Sequence, residues 1–137
     1  MEMKKIGLLM LLLAAASACN SGGTSFKASD IIENRHGEVS NEERLYQFYE
    51  NTVSGEADAV RVTTFTTEGD PTYQDLYFDG NKIKSVEDSS EDKYGSGEVV
   101  ERECSSILVL TSEKEMVYVL ESCDPESEDP TILHLQE

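Results

Sequence analysis

Residues 66–80, TTEGDPTYQDLYFDG, hold the densest set of chemically capable side chains in the chain. Glu68, Asp70 and Asp75 are carboxylates close in sequence. Converging on one substrate, they would supply the acid and base of a small hydrolase. No nucleophile accompanies them, and the same letters also build turns. Gly69 can take a positive φ, Pro71 fixes φ, and Asp79-Gly80 signals a hairpin. Asp75 falls mid-strand, where a solvent-facing polar group fits equally well. Tyr73 and Tyr77 share its face of the strand. An acid–tyrosine patch on a sheet suits a peptide, a glycan or a partner protein, and tyrosines at the rim of a core would look the same. Arg61 can anchor a carboxylate ligand or close a salt bridge to Glu68 or Asp75.

A second acidic run, EDSSEDKYGSGE at 87–98, places Asp88, Ser90 and Asp92 at spacing two. Calcium takes six to eight oxygens from such loops, but an EF-hand loop needs glycine at its sixth position, where Lys93 stands. An irregular calcium site and a solvated loop are the two readings left. His36 and His134 are the only histidines, and neither has a partner at metal-ligand spacing. No GxSxG, HExxH, P-loop or GxGxxG occurs. The sequence therefore nominates no catalytic residue, no cofactor and no metal beyond that calcium candidate. Arg61, Glu68, Asp70, Tyr73, Asp75 and Tyr77 stand as a possible ligand surface.

The N-terminus addresses location. Lys4 and Lys5 precede an apolar run and then Ala16-Ser17-Ala18-Cys19. Residues 1–18 read as a secretory signal peptide, too short in its apolar part to span a bilayer. The segment ending in Cys19 resembles a bacterial lipobox, in which a peptidase cuts before a cysteine whose sulfur carries a diacylglycerol. An ordinary secreted protein cut after Ala18 is the alternative. The polar NSGGTS that follows suits a tether. A chain beginning at Cys19 has 9 basic and 27 acidic side chains, a net charge of −18. Such a surface repels nucleic acid, whose binders present basic faces.

With Cys19 assigned to lipid, Cys104 and Cys123 remain, and an even pair in an exported chain suggests a disulfide, with two buried free thiols as the alternative. Two β-rich runs flank Glu113-Lys114 between them. A hairpin centred there pairs Leu110 with Val117, Leu108 with Val119, and Cys104 with Cys123, within disulfide range.

The elements follow from periodicity. Leu45, Phe48, Tyr49, Thr52 and Val53 mark one amphipathic helix, with Ser40 and Glu43 as a capping box and Gly55 as the stop. From residue 59 the period becomes two. Strands are expected at 59–67, 72–78, 82–86, 98–111 and 115–122, with 131–135 as a short strand or loose tail. The expected fold is α+β: one N-terminal helix on an antiparallel meander of about five strands. Its core is Leu45, Phe48, Val60, Val62, Leu76, Phe78, Ile83, Ile107, Val109, Tyr118 and Leu120. Residues 19–37 are read as tether and lead-in, and 38–137 as the single domain.

Asn34-Arg35-His36-Gly37, Val53-Ser54-Gly55, Asp58-Ala59-Val60-Arg61-Val62, Thr67-Glu68-Gly69-Asp70-Pro71, Asp75-Leu76, Asp79-Gly80, Tyr94-Gly95-Ser96-Gly97 and the two cysteines together form a pattern. It resembles a family of small secreted lipoproteins of bacilli defined only as a domain of unknown function. The resemblance implies export, a lipid anchor and one compact domain, and no catalytic residues. The resulting expectation is a non-enzymatic accessory or binding lipoprotein on the outer face of the cytoplasmic membrane. A small carboxylate-dependent hydrolase and a calcium-dependent envelope module are the alternatives.

Overall fold

The computed structural model describes residues 25–137. Residues 1–18, read as a signal peptide, and Cys19 lie outside them. The elements are β1 (Ile31–Arg35), β2 (Glu38–Ser40), α1 (Glu42–Ser54), β3 (Asp58–Phe65), β4 (Pro71–Phe78), β5 (Ile83–Asp88), β6 (Val99–Cys104), β7 (Ser106–Thr111), β8 (Glu115–Glu121) and β9 (Thr131–Gln136). Six strands form one sheet in the order β2-β1-β3-β4-β5-β6, and β7-β8-β9 form a second. The expected helix on a five-stranded meander is therefore corrected to a mainly β fold of nine strands in two sheets with one short helix.

Three local causes account for the difference. First, strand structure begins inside the segment read as lead-in. His36 and Gly37 both have positive φ, 55° and 94°, as a tight two-residue hairpin turn requires. The Asn34 side chain accepts from the Gly37 amide at 2.9 Å. This turn joins β1 to β2, while β1 pairs in parallel with β3 across the α1 crossover. Second, the apolar run 98–111 is not one strand. Its inward positions are even-numbered to Cys104, which is fully buried, and odd-numbered from Ile107. That one-residue slip at Ser105 is where the chain leaves one sheet for the other. Third, the tail forms β9, and a register shift opposite Tyr118 and Val119 leaves Ile132 as the extra residue. The bulge lets consecutive Ile132 and Leu133 both reach the core.

The β7–β8 register has the residue pairing read from the sequence, Leu110 with Val117 and Leu108 with Val119. The ladder continues through Glu103 and Asp124, and Cys104 and Cys123 between them form a disulfide. The core lies between the inner face of the large sheet, α1 and the small sheet. Ile32, Val60, Leu76 and Ile83 meet Leu45 and Phe48 of the helix and Tyr118, Leu120 and Leu133 of the small sheet. Of the expected core, only Val109 is half-buried rather than buried.

The capping box does not form. Asn41, at φ 61°, is the residue before the helix, and its side chain donates instead to the Ser29 and Ile31 carbonyls. Gly55 ends the helix at φ 79°, as expected. Arg44 fixes the helix to the sheet through Asp30 at 2.9 Å and Asp58 at 2.6 Å, and Asn51 also donates to Asp58. No described helix is long and apolar enough to cross a membrane.

Candidate functional site

The register of β3 and β4 sets Arg61 directly opposite Asp75, on the face turned away from the core. The guanidinium grips the carboxylate with both arms, Nε to Oδ1 at 2.6 Å and Nη2 to Oδ2 at 2.8 Å. It lies 4.5 Å from the centre of the Tyr73 ring and 5.1 Å from that of Phe26. The Tyr77 hydroxyl donates to Asp75 at 3.3 Å. Hydrogen bonding to Asp75 raises the Arg61 pKa against the opposing effect of burial. Four of the residues nominated from sequence thus converge: Arg61, Tyr73, Asp75 and Tyr77. Asp75 is only 9% exposed, which corrects its reading as a solvent-facing group. The cluster spends its charges on itself and shields them with rings, as a structural ion pair does. Phe26, which completes it, lies in the segment read as tether.

Glu68 and Asp70 stand apart from it. They belong to the β3–β4 turn, closed by bonds from Gly69 N to Thr66 O and Thr66 N to Asp70 O. Asp70 is five residues from Asp75 along an extended strand, roughly 16 Å at 3.3 Å per residue. Asp70 accepts from the Lys93 amide, and Glu68 from the Thr67 hydroxyl. The three carboxylates of the hydrolase reading therefore share no cleft.

The 87–98 loop folds onto this turn. The Tyr73 hydroxyl donates to Glu91, which raises the phenol pKa. Asp88 accepts from the Ser90 amide and Asp92 from the Tyr94 amide, and bonding to Ser90 lowers the Asp88 pKa. A Cβ on Gly95 would come within 2.4 Å of the Asp92 carboxylate, so a larger residue there would have to displace that side chain. The calcium candidates Asp88, Ser90 and Asp92 are thus occupied in local turns. Among the described residues no three His, Cys, Asp or Glu side chains are placed to hold a metal.

An open recess lies elsewhere. The first turn of α1, the β1–β2 hairpin and the β7–β8 hairpin enclose a cleft of about 580 Å³. Val39, Tyr46, Met116, Tyr118 and Leu135 supply its apolar surface. Glu42, Glu43, Glu113, Glu115 and Glu137 stand around it with Lys114 as the one cation among the lining residues. Tyr118 is almost fully buried at its base, and burial, with Glu42 nearby, pushes its phenol up. Tyr46 is 47% exposed at the mouth. None of these residues was nominated from sequence. The two halves of the cleft are some seventy positions apart, and no local pattern in the sequence signals it.

A family model described as a domain of unknown function, DUF4362, matches residues 28–119. No curated protein and no solved structure matches the chain.

Proposed function

This chain belongs to the DUF4362 family, and from that premise we propose that it is an exported, lipid-anchored, non-enzymatic binding module on the outer face of the cytoplasmic membrane. The anchor reading is supported by the signal-like residues 1–18 and the small-residue triplet before Cys19. Two acyl chains on that cysteine would hold the domain stably at a bilayer. The observation that carries the binding role is the cleft beside α1, an apolar surface left unfilled and ringed by carboxylates. Apolar pockets with a few convergent polar groups are the usual form of a ligand site. Its chemistry fits a peptide or protein segment presenting an aliphatic side chain beside basic ones. The Arg61–Asp75 cluster serves as scaffold in this reading.

Two measurements test it. The intact mass of the membrane-extracted protein should correspond to a chain beginning at Cys19 with a diacylglyceryl thioether, and an unlipidated chain overturns the anchor. Titration of the full chain with the peptide acetyl-Lys-Leu-Lys-amide should give saturable binding that weakens with salt and is lost in Tyr46→Ser. Equal binding of acetyl-Glu-Leu-Glu-amide would remove the cleft from the proposal.

A further inference from the structure

Tyr118 stands on the inward face of β8, lines the cleft beside α1 and is only 2% exposed. No described residue bonds its hydroxyl; burial and the nearby Glu42, Tyr46 and Tyr49 are what raise its pKa. A hydroxyl both unpaired and sealed from solvent would be a buried orphan. Among the described residues that condition is met by Arg102 Nε and not by Tyr118. The part of Tyr118 left open is therefore its hydroxyl, and it opens into the cleft. Buried tyrosines usually give their hydroxyl a partner, and one without a partner asks for an explanation. Around this opening stand Glu42, Glu43, Glu113, Glu115 and Glu137.

We infer that the segment bound in this cleft carries a lysine whose ammonium donates to the Tyr118 oxygen. The inference rests on the peptide-binding reading above and specifies one of its basic residues. Donor and acceptor chemistry decides the residue. The phenol oxygen and the carboxylates accept, and an ammonium only donates. Its charge suits the acidic rim. The methylene stem of a lysine lies along apolar surface, here Val39, Met116 and Leu135, while its head reaches a polar group. The fork of an arginine matches paired oxygens, whereas one phenol oxygen offers a single point, which suits the compact ammonium. The edge strand β2 favours a peptide over a free amine. Val39 lies opposite Asn34, one step from the bonded pair that flanks the tight turn. Alternation along the ladder turns its amide and carbonyl to the free side of β2. An extended main chain pairs with such an edge.

The test is calorimetric titration of the full chain with acetyl-Lys-Leu-Lys-amide and acetyl-Arg-Leu-Arg-amide. The lysine peptide should bind about tenfold more tightly. Tyr118→Phe should weaken the lysine peptide about tenfold, the worth of a charge-assisted hydrogen bond, and leave the arginine peptide within about twofold. The same variant should melt no lower than the wild type, because its hydroxyl has no bond to lose in the free protein. The comparison of the two peptides on the wild type stands whatever the variant does. If both peptides bind alike, or Tyr118→Phe weakens them equally, the lysine contact is overturned and the peptide cleft is kept. A lower melting temperature for Tyr118→Phe overturns it too, since the hydroxyl then has a partner within the fold. Binding of 1,5-diaminopentane as tight as that of the lysine peptide makes the occupant a free amine and overturns the peptide assignment. If neither peptide binds up to about 10 mM, the cleft reading fails and this inference with it.

Discussion

Arg61 and Asp75 show how one pair of side chains can resemble a ligand site and act as a brace. Both arms of the guanidinium are engaged, two aromatic rings flank it, and the carboxylate is nearly out of solvent. Removing one partner leaves the other unpaired in a poorly hydrated place. Asp75→Ala should therefore lower unfolding free energy by about 2–3 kcal/mol, short of the cost for a fully buried pair because Arg61 retains some exposure. Urea denaturation reads this, and Arg61→Ala combined with Asp75→Ala should cost less than the two single changes summed. Asp58 behaves differently with pH. Burial pushes its carboxyl up, but bonds from Arg44, Asn51 and the Ala59 amide outweigh that and hold it below its ordinary range. A carboxyl with a depressed folded pKa contributes stability above its unfolded pKa, near 4, and loses it as pH falls through the folded value. The urea midpoint should therefore drop on acidification below about pH 4. Asp58→Asn should be less stable at neutral pH and show a shallower acid limb; an unchanged limb would assign the acid sensitivity to other carboxylates.

At the scale of elements, the small-sheet hairpin was legible and the topology was not. Pairing around Glu113-Lys114 is local, and alternation of Leu108, Leu110, Val117 and Val119 sets its register. Most of the core was legible too, because Val60, Val62, Leu76 and Phe78 keep a strict period of two. β1 escaped notice because its partner β3 lies some thirty residues on, and a parallel pairing leaves no local signature. Ile31-Ile32 alone is too short to show periodicity. The break at Ser105 was readable only as a change of phase in an otherwise continuous β-rich run. The cleft beside α1 was invisible for the same reason as β1: it is assembled from segments distant in sequence. The disulfide sits beside that break, where the strand passes between sheets. Reduction, or Cys104→Ser with Cys123→Ser, should cost about 3 kcal/mol for a loop of this length. A thermal melt with and without reductant measures it, and coincident melts would mean the bridge contributes nothing.

For the whole molecule, charge is the dominant fact. A net −17 makes the folded state repel itself, and salt screens that repulsion. Between 20 mM and 500 mM sodium chloride, values that span roughly 20 Å down to 4 Å in Debye length, the melting temperature should rise. A fall would show that specific ion pairs such as Arg44–Asp58 outweigh the general repulsion. The parallel pairing of β1 with β3 has a mechanical consequence. Tension applied at the N-terminal end runs along the axis of β1, while its hydrogen bonds to β3 and β2 lie across that axis. The load is shared by the rungs simultaneously, in shear, instead of parting them in succession. A domain tugged from that end should resist extension far better than one pulled from its C-terminal strand β9, which forms the edge of the smaller sheet.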